Sequence, residues 1–208
     1  MFDKLTVAEF IKSGFCPRGQ SAFLMSKTAQ DYSGFVEALY CAIDSAVAKL
    51  CESRHILLRD VVNENLLTVQ ITNALSHMGF DATFDTATNG HCDITVRDPR
   101  GYQWLGEAKI HKESYSWLFE GYLQLSTRYA TGIANQDHGG LIIYVYIERS
   151  DLVMNRWIEH LKEQRGDIAH RVCKNNRQCC FTEDVAAATG DKMTIRHIPV
   201  PMFFKPAA

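Results

Sequence analysis

Apolar positions fall into runs with two distinct spacings. Phe35, Leu39, Ile43, Val47 and Leu50 recur at helical spacing and predict a helix over about 28–54. Thr28 to Asp31 reads as a capping-box variant that opens it. Leu67, Ile71, Leu75 and Met78 predict a second helix over about 60–78, closed by Gly79. Glu64 extends that apolar stripe by one turn. A carboxylate there is either held by the helix dipole at the first turn or bound to a partner such as a metal. Tyr115, Leu118, Tyr122, Leu125 and Tyr129 predict a helix over 114–131, stopped by Gly132, and Met154, Trp157 and Leu161 one over 151–164. Residues 3–12 form a further short helical stretch, broken by Cys16, Pro17, Arg18 and Gly19. Period two appears over 80–86, a strand followed by a turn at Asn89-Gly90. Residues 140–148 are apolar nearly throughout, as expected of a buried central strand. Residues 193–204 contain prolines and are expected at a sheet edge.

The stretch 90–110 carries the chemistry. Asp98, Pro99, Arg100 and Gly101 suit a type I turn closed by a glycine in the left-handed region, the three-residue hairpin loop with a bulge. That loop fixes the register: Arg97 faces Gln103, Thr95 faces Leu105, Asp93 faces Glu107 and His91 faces Lys109. Opposed residues lie on one side of a sheet about 5 Å apart, and two facing carboxylates repel unless something positive sits between them. A hard cation such as magnesium supplies it, because it takes oxygen ligands. Lys109 lies two residues beyond Glu107 and shares its face. The opposite face reads as Cys92, Ile94, Val96, Trp104, Ala108 and Ile110. With Leu105 on the charged face, the second strand is apolar on both sides and belongs inside a sheet. The alternative is a surface hairpin with solvated charges.

Composition narrows the classes. The chain has 208 residues, 46% hydrophobic and 22% charged, enough for one well-cored domain with an extension. A net charge of −2 gives no global field for nucleic acid, so such a surface would be local. The six Arg and Lys residues within 156–178 form the best basic patch, with a solvated helix face as its commoner meaning. No apolar run reaches membrane-spanning length, no secretory signal is expected, and the seven cysteines read as cytoplasmic thiols. His170, Cys173, Cys179 and Cys180 cluster in sequence but match no standard zinc spacing.

The order helix, strand, strand, strand, helix, strand carries Glu64, Asp93, Glu107, Lys109 and Gln124 in turn. This resembles the PD-(D/E)xK nuclease superfamily over about residues 60–148. The acid stands at Asp93 and the triplet at Glu107-Ala108-Lys109, with 13 residues between Asp93 and Glu107. The proline that usually precedes the acid is absent. Arg128 stands where the exonuclease branch has a tyrosine, with Tyr129 next, which points away from an exonuclease.

The resemblance implies an α/β restriction-endonuclease-like core, a mixed sheet flanked by helices, over 58–208, with a helical extension over 1–57. It implies a metal-dependent nuclease. Asp93, Glu107, the Ala108 carbonyl and Glu64 would bind Mg2+, with Mn2+ able to substitute. Lys109 would orient the attacking water, and Gln124 and Arg128 would contact the substrate backbone or support the triplet. His91 would tune Lys109 or serve structure. DNA is the expected substrate and RNA the second, in a restriction or phage-defence setting with its partner proteins. A homodimer would suit a double-strand cut. Two other readings stand beside it: a catalytically silent nuclease-fold module that binds nucleic acid or assembles, and an interaction protein with a chance motif.

Overall fold

The computed structural model describes residues 6–87, 91–128, 131–166 and 168–206. The turn expected at Asn89-Gly90, the start of the first helix near Asp3, and Tyr129 lie outside them. Among the described residues the fold is α/β, a seven-stranded mixed sheet flanked by helices. The helices are α1 (Val7–Lys12), α2 (Arg18–Thr28), α3 (Tyr32–Glu52), α4 (Glu64–His77), α5 (Ser116–Leu123) and α6 (Ser150–Arg165). The strands are β1 (Asp81–Ala87), β2 (His91–Arg97), β3 (Gln103–Ile110), β4 (His138–Val145), β5 (Ala169–Val172), β6 (Cys180–Val185) and β7 (Lys192–Pro201). Their order across the sheet is β1-β2-β3-β4-β7-β6-β5, with β3, β4 and β7 parallel and the other pairs antiparallel. No helix among the described residues is long and apolar enough to cross a membrane.

Two apolar layers sandwich the sheet. On one face α3 and α4 bury Phe35, Leu39, Ile43, Leu67, Ile71 and Leu75 against Ile94, Val96, Trp104, Ala108 and Ile198. On the other, α5 and α6 bury Leu118, Tyr122, Trp157 and Leu161 against Leu105, Leu141, Ile143 and Ile195. The stripe of α3 therefore belongs to the same core as the sheet. The hairpin turn takes the expected form: Gly101 has φ +83°, its N–H donates to Asp98 O, and Asp98 N–H donates to Tyr102 O.

Several expectations are corrected. Residues 18–28 form α2, so Thr28 ends one helix, and the cap of α3 is Asp31, whose carboxylate accepts the Gly34 N–H at 2.8 Å. The helix expected over 114–131 is shorter: it opens at Ser116 and passes at Gln124 into a π-turn ending at Arg128. The β5–β6 hairpin was not anticipated, because its strands are short and mix apolar with polar residues without a clear period of two. The proline-bearing strand β7 is internal, between β4 and β6. Met202 N–H donates to Val145 O, so by alternation Pro199 and Pro201 turn away from β4. They face the side where β6 has already ended, at its pair Cys180–His197. The missing N–H groups therefore cost no ladder bond.

Candidate active site

The site forms where the β2–β3 hairpin comes apart. The ladder follows the expected register, Arg97 to Gln103, Thr95 to Leu105, and ends at Ile94 and Gly106. Beyond that pair, the next β3 amides facing β2 are those of Ala108 and Ile110, by alternation. Neither is left bare. Ala108 N–H donates to Asp93 Oδ2 at 2.8 Å, and Ile110 N–H donates to Glu64 Oε2 at 2.6 Å. Two side-chain carboxylates thus replace the carbonyls of a parted strand, one from β2 and one from the first turn of α4. Asn63 caps α4 and accepts the Leu66 N–H, which leaves Glu64 available to reach the sheet.

Glu107 lies on β3 with its side chain 1% exposed. The Lys109 ammonium sits 3.1 Å from Glu107 Oε2 and 3.7 Å from Asp93 Oδ2. The positive charge required between facing acids is therefore supplied here by Lys109 itself. Burial works against that charge, but Glu107 and Asp93 outweigh it and hold Lys109 above its ordinary pKa. Burial likewise pushes Glu64 above the usual carboxylate range, opposed by the Ile110 amide and Lys109 and reinforced by Asp93. The stem of Lys109 runs over Gly121 of α5, where an added Cβ would come within 3.0 Å of Lys109 Cε. Glycine is what lets helix and lysine approach.

A cavity of about 450 Å³ opens beside this fork, lined by Lys109, Trp117, Glu120, Leu123, Gln124 and Thr127. Gln124 thus reaches the wall of the site. The Arg128 side chain is outside the described residues. His91 is not brought opposite Lys109, because β2 and β3 have separated before that position. Its ring instead bonds Asp85 Oδ1 at 2.8 Å from an exposed position. Cys92 is also corrected. It packs with Leu105, Leu118 and Tyr122 rather than with Ile94. The β1 partner opposite Asp93 would be Asp85, which takes φ +50°, and alternation breaks there. Burial, then Glu107, pushes the Cys92 thiol up to about 12, which keeps it protonated.

Trp117 also lines the candidate site, and sequence reasoning passed it over. Its ring lies 5.3 Å from Lys109 Nζ and 3.9 Å from Lys112 Nζ. Its indole N–H is buried without a hydrogen bond, although it is near enough to Glu64 to favour the carboxylate. The available signal was spacing: Trp117 precedes Gln124 by two helical turns and shares its face.

No group of three or more His, Cys, Asp or Glu side chains among the described residues is drawn together as a ready metal cage. The donor set is nonetheless all oxygen: Glu64, Asp93, Glu107 and the Ala108 carbonyl. That chemistry fits Mg2+ or Mn2+, which favour carboxylate and carbonyl ligands. The sequence-adjacent Cys179 and Cys180 point into opposite apolar layers. No protein-family model, curated protein or solved structure matches the chain.

Proposed function

We propose that this protein is a metal-dependent nuclease of the restriction-endonuclease-like kind, with DNA as its substrate and RNA as the second choice. One observation carries the reading. Glu64, Asp93 and Lys109 come from three separate stretches of chain, and meet Glu107 at one fork beside a cavity walled by Gln124. Glu64, Asp93, Glu107 and the Ala108 carbonyl would hold Mg2+ or Mn2+. The metal would supply an activated water and neutralise charge on the phosphate. The rest falls to the chain. Hydrogen bonds from main-chain N–H groups fix the orientation of Glu64 and Asp93. Lys109 carries a positive charge into a largely buried site, where it steadies an anionic phosphate more strongly than it would in bulk water. Gln124 offers an amide to the substrate backbone. The defence setting and a homodimer belong to the same proposal.

A silent nucleic-acid-binding or assembly module is the second reading, favoured by the Lys109 ion pairs, which already bring a positive charge to Glu107 and Asp93 without metal. One assay separates the two. Supercoiled plasmid and single-stranded RNA are incubated with wild type, Lys109→Met and Asp93→Asn in Mg2+, Mn2+ or EDTA. Cleavage that needs the metal and is lost in both variants supports the nuclease. Wild-type silence on both substrates, with no heat of Mg2+ binding by calorimetry, supports the module.

A further inference from the structure

Across the sheet from Lys109, a second cavity of about 450 Å³ lies under α3, lined by residues that include Tyr40, Asp44, Arg171, Lys174, Phe181 and Arg196. It shares no residue with the carboxylate fork. Arg196 projects from β7 and is 1% exposed. Its Nη2 donates to both Asp44 oxygens at 2.9 Å, while its Nε–H is buried with no acceptor. Its guanidinium lies 4.7 Å from the Tyr40 ring and 5.9 Å from Phe181, whose ring also carries the Arg171 guanidinium at 4.0 Å.

A buried arginine with an idle donor is costly unless the site needs the charge. The single acid against it, Asp44, is also shared with Asn176 Nδ2 at 3.1 Å. The cavity walls carry three full cations, Arg196, Arg171 and Lys174, against two acids, Glu37 and Asp44. The surplus is positive, and two of the cations, Arg171 and Lys174, are exposed at the rim and reachable from solvent. A volume in the range of about 300–1,000 Å³ is that of a small-molecule site.

We infer that this cavity binds a phosphomonoester no larger than a mononucleotide, its phosphate held by Arg171 and Lys174 over the Arg196 floor. A phosphate dianion matches several converging cations better than a single-charged, planar carboxylate does. The inference is independent of the nuclease reading.

Calorimetry on the full chain in EDTA tests it, with adenosine monophosphate and inorganic phosphate as probes and adenosine and acetate as controls. The two phosphates are expected to bind and the controls to give no heat. Arg171→Ala and Lys174→Ala alter exposed side chains, and melting temperatures close to wild type are expected to show that each variant is folded. Each is expected to weaken binding about tenfold, the loss of one charged hydrogen bond. Asp93→Asn is expected to bind like wild type. The inference is overturned if neither phosphate binds, if acetate binds as well as phosphate, or if neither rim substitution weakens binding.

Discussion

Replacing Lys109 by Met keeps the stem that fills the space over Gly121 and removes the ammonium alone. The Glu107 carboxylate, 1% exposed, then loses a cation at 3.1 Å. Gross attraction at that distance is about 5 kcal/mol at an effective dielectric near 20, before desolvation is set against it. Breaking one side of a buried pair costs about 3–5 kcal/mol, because the surviving charge stays buried. For a chain of this length that is a fall in Tm of about 6–20 °C. The double variant Lys109→Met/Glu107→Gln removes both charges and is expected to recover most of the loss. Scanning calorimetry of wild type, Lys109→Met, Glu107→Gln and the double variant at pH 7 gives the coupling directly. Mg2+ gives a further readout. At about 100 times its Kd it is expected to return about 2.7 kcal/mol to the single variant, and less to wild type, where Lys109 competes for the same acids. A single variant as stable as wild type would refute the reasoning, since Glu107 would then be neutral or satisfied without Lys109.

Three more outcomes follow from the same geometry. Gly121→Ala sets a Cβ against the Lys109 stem and Leu141, and is expected to lower cleavage about tenfold with a Tm loss of only a few degrees, a split measured by plasmid nicking and calorimetry. Glu64 has a raised folded pKa, so its contribution is full below the unfolded value near 4.5 and is lost as pH rises through the folded value; Glu64→Gln, which can still accept the Ile110 N–H, is expected to flatten denaturant stability above pH 4.5. His197 is buried between Trp157 Nε1 at 3.0 Å and Thr182 Oγ1 at 2.8 Å, and burial holds its pKa down to about 3. Its contribution is present above the unfolded value near 6.5 and drains as pH falls toward 3, by up to about 1.4 kcal/mol per pH unit; a His197→Gln variant without a shallower acid slope would contradict this.

Much of the fold was legible because it is local. The α3, α4 and α6 stripes obey the helical period, and the Asp98–Gly101 turn set the hairpin register with no help from tertiary structure. What escaped depends on distant partners. The position of β7 inside the sheet depends on where β6 stops, which no pattern within 192–201 encodes. Arg196 and Asp44 meet across 152 residues. At the site, the facing of Asp93 and Glu107 was read from an unbroken ladder, whereas the strands part there. The acids come together through hydrogen bonds from main-chain N–H groups and through Lys109, and His91 is lost from the site for the same reason. Trp117 was visible only as one apolar helix position among several.

The parted hairpin bears on how such a site could decay. Glu64 and Asp93 each satisfy a main-chain amide that would otherwise be orphaned inside the sheet, at a cost of about 1–3 kcal/mol apiece. Natural drift that abolished catalysis would therefore still be held back at these two positions, by folding alone. On the nuclease reading proposed above, a silent descendant would keep both acids and lose first the residues that serve only the substrate, Gln124 at the cavity wall among them. In any protein built this way, a surviving pair of acids reports an intact sheet before it reports a working site.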